Sequence, residues 1–149
     1  MTRLDRTESL RLLGTVSLGR VVFTHEALPA VRPVNHLMDG GDIIVQVHDG
    51  AALASIVAPT DTAGVVVAYE ADAIDPVTHL GWSVVVTGYA HRVTDDRDLA
   101  RYAATLRPWV QHTAMNAALR IRPGLVTGLL LAAEPTSAAA VAEDAGDES

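Results

Sequence analysis

Residues 43–53 read IIVQVHDGAAL. Ile43, Ile44, Val45 and Val47 make a β-rich apolar run. His48-Asp49-Gly50 reads as a polar strand end and turn, and Ala51-Ala52-Leu53 then opens a short helical segment that Pro59 ends. A strand that turns through glycine into a helix start offers main-chain N–H groups to an anion. No Arg or Lys lies within the stretch. A phosphate bound here must be held by amides, by His or by an Arg from elsewhere.

Working back toward the N-terminus, MDGGD (38–42) predicts a hairpin turn whose returning strand is DIIVQVH (42–48). The outgoing strand is AVRPVNHL (30–37), extended because a residue before proline avoids the helical region. Pro33 lacks an N–H and belongs at an edge or beside a bulge. EALP makes a turn, and GRVVFTH (19–25) is a β-branched strand. Asp5 followed by Glu8 resembles a capping box, and Leu10, Leu12 and Leu13 precede Gly14, so a short helix with a glycine stop is expected.

Toward the C-terminus, GVVVAYEA (64–71) is a strand whose unbroken apolar run suggests burial on both faces. Residues 72–81 form a loop. GWSVVVTGYAHRV (81–93) is long for one strand, with Gly88 placed to let it bend. Thr94-Asp95-Asp96 starts a helix running to about Leu106, halted by Pro108, and RIRPGLVTGLLLA (120–132) supplies a last strand. About six strands with short helices, and no βαβ alternation, predict a mainly β protein: an antiparallel barrel with helices plugging its ends.

The chain of 149 residues is long enough for one domain with a real core. Its apolar runs are too short to span a bilayer, and MTRLDRTESL has no signal-type apolar segment, so a cytoplasmic location is expected. With no cysteine, disulfides, thiol catalysis and cysteine metal sites are excluded. All eleven basic residues are Arg, which excludes Schiff-base chemistry and a P-loop lysine. Five acids and no base fall in 134–149, giving a split into a folded domain, 1–133, and an acidic, Ala-rich disordered tail, 134–149. The remaining balance, thirteen acids against eleven bases, shows no basic face for nucleic acid.

His25, His36, His48, His79, His91 and His112 are scattered without metal-ligand spacing, so no metal site is expected. His36 reads as a solvent-facing residue. Ser55, Ser83 and Thr87 lack a nucleophile-elbow context. Arg32, ahead of a proline in an apolar stretch, is equally suited to clamping an anion and to facing solvent on an edge strand. Trp82 and Trp109 suit ring stacking or an interface.

The order GRVVFTHEALPAVRPVNHLMDGGDIIV, VVVAYEADAIDP, GWSVVVTGYAHRVTD, LRPWV and IRPGLVTG resembles the pyridoxamine 5′-phosphate oxidase-like family across roughly 5–132. It is most similar to small actinobacterial members related to nitroimidazole reductases. The resemblance implies a six-stranded FMN-binding split barrel, a homodimer with cofactor sites at the interface, and oxidoreductase chemistry on a small molecule; a deazaflavin is the alternative cofactor. It implies that Arg32, Pro33, Val34 and Asn35 pass beside the flavin ring. Gln46 and Val47 fall where members carry an Arg-Thr pair on the phosphate, and Gly50, Ala51, Ala52 and Leu53 where a Lys-Leu pair follows the glycine. Trp82 and Ser83 match a strand arriving from the other subunit, and Trp109 an aromatic near the cleft. No catalytic side chain is implied.

Two departures stand out: Gln46 replaces the expected Arg and Ala52 the expected Lys. Two lost charge-assisted contacts, at ~1.5–3 kcal/mol each, amount to about 10²–10⁴ in affinity. Gln46 retains one neutral donor toward a phosphate. The rival reading is a non-catalytic dimer that has lost tight FMN binding. The apolar strands VVVAY and WSVVV exceed what a small barrel's interior needs, which favours a second buried face and a dimer.

Overall fold

Two tight turns set the first three long strands in register. Strand β2 (Leu18–His25) turns through Glu26 and Ala27, both left-handed at φ 52° and 64°, into β3 (Leu28–Asp39). Strand β3 then turns through Gly40 and Gly41, at φ 59° and 88°, into β4 (Asp42–His48). Positive φ at both central residues matches the twist of the flanking strands. Glycine adopts it freely in the second turn; the first imposes it on side-chain-bearing residues. This computed structural model describes residues 1–48, 52–57, 63–106 and 116–133.

The remaining strands are β5 (Val65–Ile74), β6 (Gly81–Arg92) and β7 (Asn116–Leu131). The sheet runs β7-β4-β3-β2-β5-β6, every pair is antiparallel, and β6 pairs back onto β7 to close the ring. The expected six-stranded barrel is present. A short seventh strand, β1 (Thr2–Leu4), was not expected. It pairs with β7 at Gly128–Leu130, on the side where β4 pairs at Asn116–Ile121. Between those two pairings, Arg6 donates to the carbonyls of Pro123 at 3.0 Å and Gly124 at 2.7 Å.

Pro33 lies where expected: β4 pairs with β3 only from His36 to Asp39, so Pro33 has β2 on one side and a ladder edge on the other. Gly88 sits at a register shift between β6 and β7, the expected bend. Strand β5 differs from its reading. Val67, Tyr69 and Ala71 point inward, but Val66 is 55% exposed, so the run is buried on one face only in the single chain. It also continues to Ile74, into the segment read as loop.

Helix α1 (Arg6–Leu13) begins as expected, with the Asp5 carboxylate accepting from the Glu8 N–H at 2.7 Å. The other half of the capping box is missing, because Glu8 pairs with Arg11 instead. Gly14 ends the helix in right-handed geometry rather than as a left-handed cap. Helix α2 (Ala52–Ile56) has only five residues and contacts β2 and β4. Helix α3 (Asp96–Thr105) is capped by Asp95 and lies on the outside of the barrel, where Tyr102 and Leu106 cover Ile44, Val93 and Ala118. The acidic tail and the Pro108 stop lie outside the described residues.

The barrel interior holds Val21, Phe23, Val34, Ile43, Val45, Val47, Leu53, Tyr69, Trp82 and Leu119 among others. His36 was read as facing solvent and is instead 3% exposed. It shares β3's inward phase with Val34. Its Nε2 donates to the Leu13 carbonyl at 2.8 Å, and its Nδ1 accepts from the Tyr69 hydroxyl. A buried histidine is tolerated here because both ring nitrogens are satisfied.

Candidate functional site

Strand alternation decides which expected site residues can meet a ligand with their side chains. Val34, Val47, Leu53 and Trp82 all point into the core, between 2% and 9% exposed. Their side chains fill the barrel, leaving only main-chain atoms for an outside ligand. For Trp82 this removes ring stacking on the outer face of its own chain.

The outward residues form two groups. On β3 and β4, Asn35 and Gln46 share the outer face: Asn35 pairs with Leu18, Gln46 pairs with Ala118, and the two stand one step beyond the last β3–β4 pair, His36 with Val45. Pro33 lies in the same outward phase of β3. The second group is Ser83 on β6, in a cross-strand row with Asp72, Leu129 and Arg3. The two groups are anchored on β7 at Ala118 and Leu129, eleven residues apart. At ~3.3 Å per residue that is about 36 Å along the strand. Within one chain the two groups therefore stand far apart along β7.

Gln46 is the most unusual of these side chains. Its Oε1 is buried and, among the described residues, has no hydrogen-bond partner. Its neighbours across and along the sheet are Ala118 and Ile44, both in the outer apolar cluster under α3. A buried carbonyl oxygen left unmatched costs about 1–3 kcal/mol, so its retention calls for an explanation. Arg32, by contrast, is exposed at the end of the barrel. It donates to the Val31 carbonyl at 2.8 Å, and its guanidinium lies 5.9 Å from the Phe23 ring centroid. Ala52 is the first residue of α2 and is partly buried against the core. Gly50, Ala51 and Trp109 lie outside the described residues.

Two groups that sequence reasoning missed hold this region in place. Arg92, at the end of β6, donates from Nε to the Val57 carbonyl at 3.1 Å and from its terminal nitrogen to the Ala54 carbonyl. It gathers main-chain carbonyls at the C-terminal end of α2, which the helix's own ladder leaves open. Nothing local in the sequence marks it, since the contact spans 35 residues or more. Arg92→Ala is expected to cost about 1.5–3 kcal/mol, a charged donor to carbonyl oxygens being lost, with increased hydrogen exchange confined to α2. Exchange measured by mass spectrometry checks this; protection of α2 unchanged in the variant would contradict it.

The second group fixes α3 to the β3–β4 hairpin. The Tyr102 hydroxyl donates to Asp39 and accepts from Arg120 at 2.6 Å; Arg120 also reaches Asp42 at 3.1 Å, and Arg101 bridges Asp39 at 3.0 Å and Asp98 at 2.9 Å. The bonds from Tyr102 and then Arg101 hold the Asp39 carboxyl below the usual carboxylate range. This cluster is committed internally and lies on the structural side of α3. Among the described residues no three His, Asp or Glu side chains gather to hold a metal, and no helix is long and apolar enough to cross a membrane.

Among the described residues, the outer face of the sheet across β3, β2, β5, β6 and β7 carries exposed apolar side chains. Val31 is 49%, Tyr89 51% and Leu125 68% exposed, and Val66 pairs directly with Tyr89 across β5 and β6. The same face also carries the Arg20–Glu70 ion pair at 3.4 Å.

A closed six-stranded antiparallel barrel with this strand order is the arrangement of the split-barrel class. The chain belongs to the pyridoxamine 5′-phosphate oxidase-like family, whose model matches residues 5–130. It is 49% identical over 134 residues to the uncharacterised protein Rv0080 of Mycobacterium tuberculosis, covering 90% of this chain and 88% of that protein. Among solved structures it is similar to the FAD binding protein from Mycobacterium smegmatis, with 34% identity, a TM-score of 0.71, and 87% and 98% of the two chains covered. The FAD and heme binding protein from the same organism shares the fold at 17% identity and a TM-score of 0.68, covering 94% and 78%.

Proposed function

We propose that this protein is a cytoplasmic homodimer that binds a flavin nucleotide between its two copies and acts as a flavin-dependent oxidoreductase on a small molecule. The observation that carries the reading is the separation of Ser83 from Asn35 and Gln46 along β7, together with the exposed apolar side chains of the outer face. A second copy seated on that face buries it and brings one chain's Ser83 toward the other's Gln46. The named FAD binding of the 34% identical relative supports a flavin.

The fit to a flavin is tested by the donor set. The buried, unpartnered Gln46 oxygen suits the uncharged hydrogen-bonding part of such a ligand. For the phosphate, the proposed partners are main-chain N–H groups of Gly50, Ala51, Ala52 and Leu53, with Arg32 turning from its Val31 contact. Helix α2 is too short for its dipole to add much, so the amides themselves carry the anion. Pro33, Val34 and Asn35 would flank the ring, Val47 the ribityl side, and Trp109 the cleft. A bound flavin supplies hydride and electron transfer; the protein's own residues orient it, satisfy its polar edge and exclude water.

FMN is the proposed cofactor. FMN and FAD share the ring and ribityl phosphate, and a deazaflavin replaces one ring nitrogen, so the cofactor released from the purified protein and identified by chromatography tells them apart. FMN at near one per chain is the expected result; FAD or a deazaflavin would correct the cofactor and keep the class. A colourless protein that takes up none of the three would overturn the reading. That outcome would favour the second reading, a non-catalytic dimer, for which the replacement of the family's cations by Gln46 and Ala52 is the supporting observation.

A further inference from the structure

Gln46 stands where the family resemblance expects a cation for phosphate, yet its uncommitted atom is an acceptor. Phosphate oxygens are acceptors only and cannot satisfy it. Among the described residues nothing else does either: its Oε1 is buried without a hydrogen-bond partner, Ile44 and Ala118 are its neighbours along and across the sheet, and Asn35 stands opposite on β3. A buried acceptor left open costs stability and is matched by a donor arriving from outside.

We propose that Gln46 is a specificity-determining residue that accepts a hydrogen bond from an uncharged donor of the bound flavin, and that it takes no part in holding the phosphate. This rests on the flavin reading given above. Two parts of a flavin carry such a donor: the hydroxyls of the ribityl chain and the imide N–H at the pyrimidine edge of the ring. The imide edge offers a donor beside an acceptor, which the two ends of an amide match as a pair. Arg in this position would present donors only, so the replacement changes what the strand reads rather than weakening one and the same contact.

Binding titrations of the full chain, followed by flavin fluorescence, test this with FMN, riboflavin (no phosphate) and lumiflavin (no ribityl chain). Gln46→Met keeps the volume and the apolar setting while removing the amide. It is expected to weaken FMN and riboflavin alike by about tenfold, the value of one hydrogen bond to a buried acceptor. Gln46→Arg is expected to weaken both as well. Lumiflavin then separates the two sources: a matching loss points to the imide edge, and no loss points to a ribityl hydroxyl. Tighter FMN binding by Gln46→Arg with riboflavin unchanged would place the residue on the phosphate and overturn the proposal, as would unaltered affinities in Gln46→Met. Ligand-free Gln46→Met is expected to melt at a higher temperature than the parent, since an unmatched oxygen is gone. A lower melting temperature with unchanged flavin affinity would show a structural amide and overturn the proposal. Failure of the parent protein to bind any of the three flavins would instead overturn the flavin reading beneath it.

Discussion

Gly88→Ala should destabilise the barrel by about 3 kcal/mol, the upper end of what overpacking costs. Gly88 sits at the bulge where β6 shifts register against β7, and a Cβ there would run into the Arg122 carbonyl oxygen on the neighbouring strand. That atom is main chain and cannot swing aside. The contact lies in the β6–β7 pairing, which closes the ring, so relief would have to come from breaking the closure itself. Urea denaturation should show a lower midpoint with an unchanged slope. A midpoint within error of the parent would mean that β6 and β7 are not joined at this bulge.

The second large effect lies in the His36–Tyr69 pair. Tyr69→Phe removes the hydroxyl that donates to Nδ1 of His36, and no change of tautomer repairs it. Moving the proton to Nδ1 would orphan the Leu13 carbonyl that Nε2 now serves. One buried acceptor is unmatched either way, at about 1–3 kcal/mol. The same geometry gives a pH dependence. Burial, opposed in part by the Leu13 bond, holds the His36 pKa below its ordinary value of 6.5. The unfolded chain therefore binds a proton that the folded chain refuses, and folding stability falls as pH drops through 6.5 toward the lowered value. Burial also raises the Tyr69 phenol well above its ordinary range, so it stays a neutral donor throughout. His36→Gln, whose amide can serve both partners without titrating, should flatten the decline between neutral pH and the onset of general acid unfolding. An unchanged decline in that variant would assign the acid sensitivity elsewhere.

Strands with clean turn chemistry were legible in the sequence. The Gly40-Gly41 hairpin fixed β3 and β4, and Pro33 and Gly88 announced an edge and a bend. Elements set by tertiary pairing were not. β1 is three residues long and exists only because β7 offers a free side beyond β4; β7 begins four residues earlier than its apolar run because β4 pairs with it there. The run at 65–69 was read as buried on both sides, since composition cannot distinguish a second core from a face awaiting a partner.

The same limit applies to the site. Asn35, Gln46 and Ser83 alternate outward as a ligand requires, while Val34, Val47, Leu53 and Trp82 do not, and that phase follows from register rather than residue type. Arg92 and the His36–Tyr69 pair are invisible to spacing, because each joins segments more than thirty residues apart. That Gln46 keeps an unmatched oxygen is knowable only once its surroundings are.

The proposed flavin site is shared between two copies of the chain. Sedimentation velocity, recorded at once in the protein band and in the visible flavin band, tests it most directly. The prediction is one boundary at the dimer mass in both bands, carrying close to one flavin per chain. Flavin travelling with a monomer, or a dimer boundary with no visible absorbance after incubation with excess flavin, would contradict it.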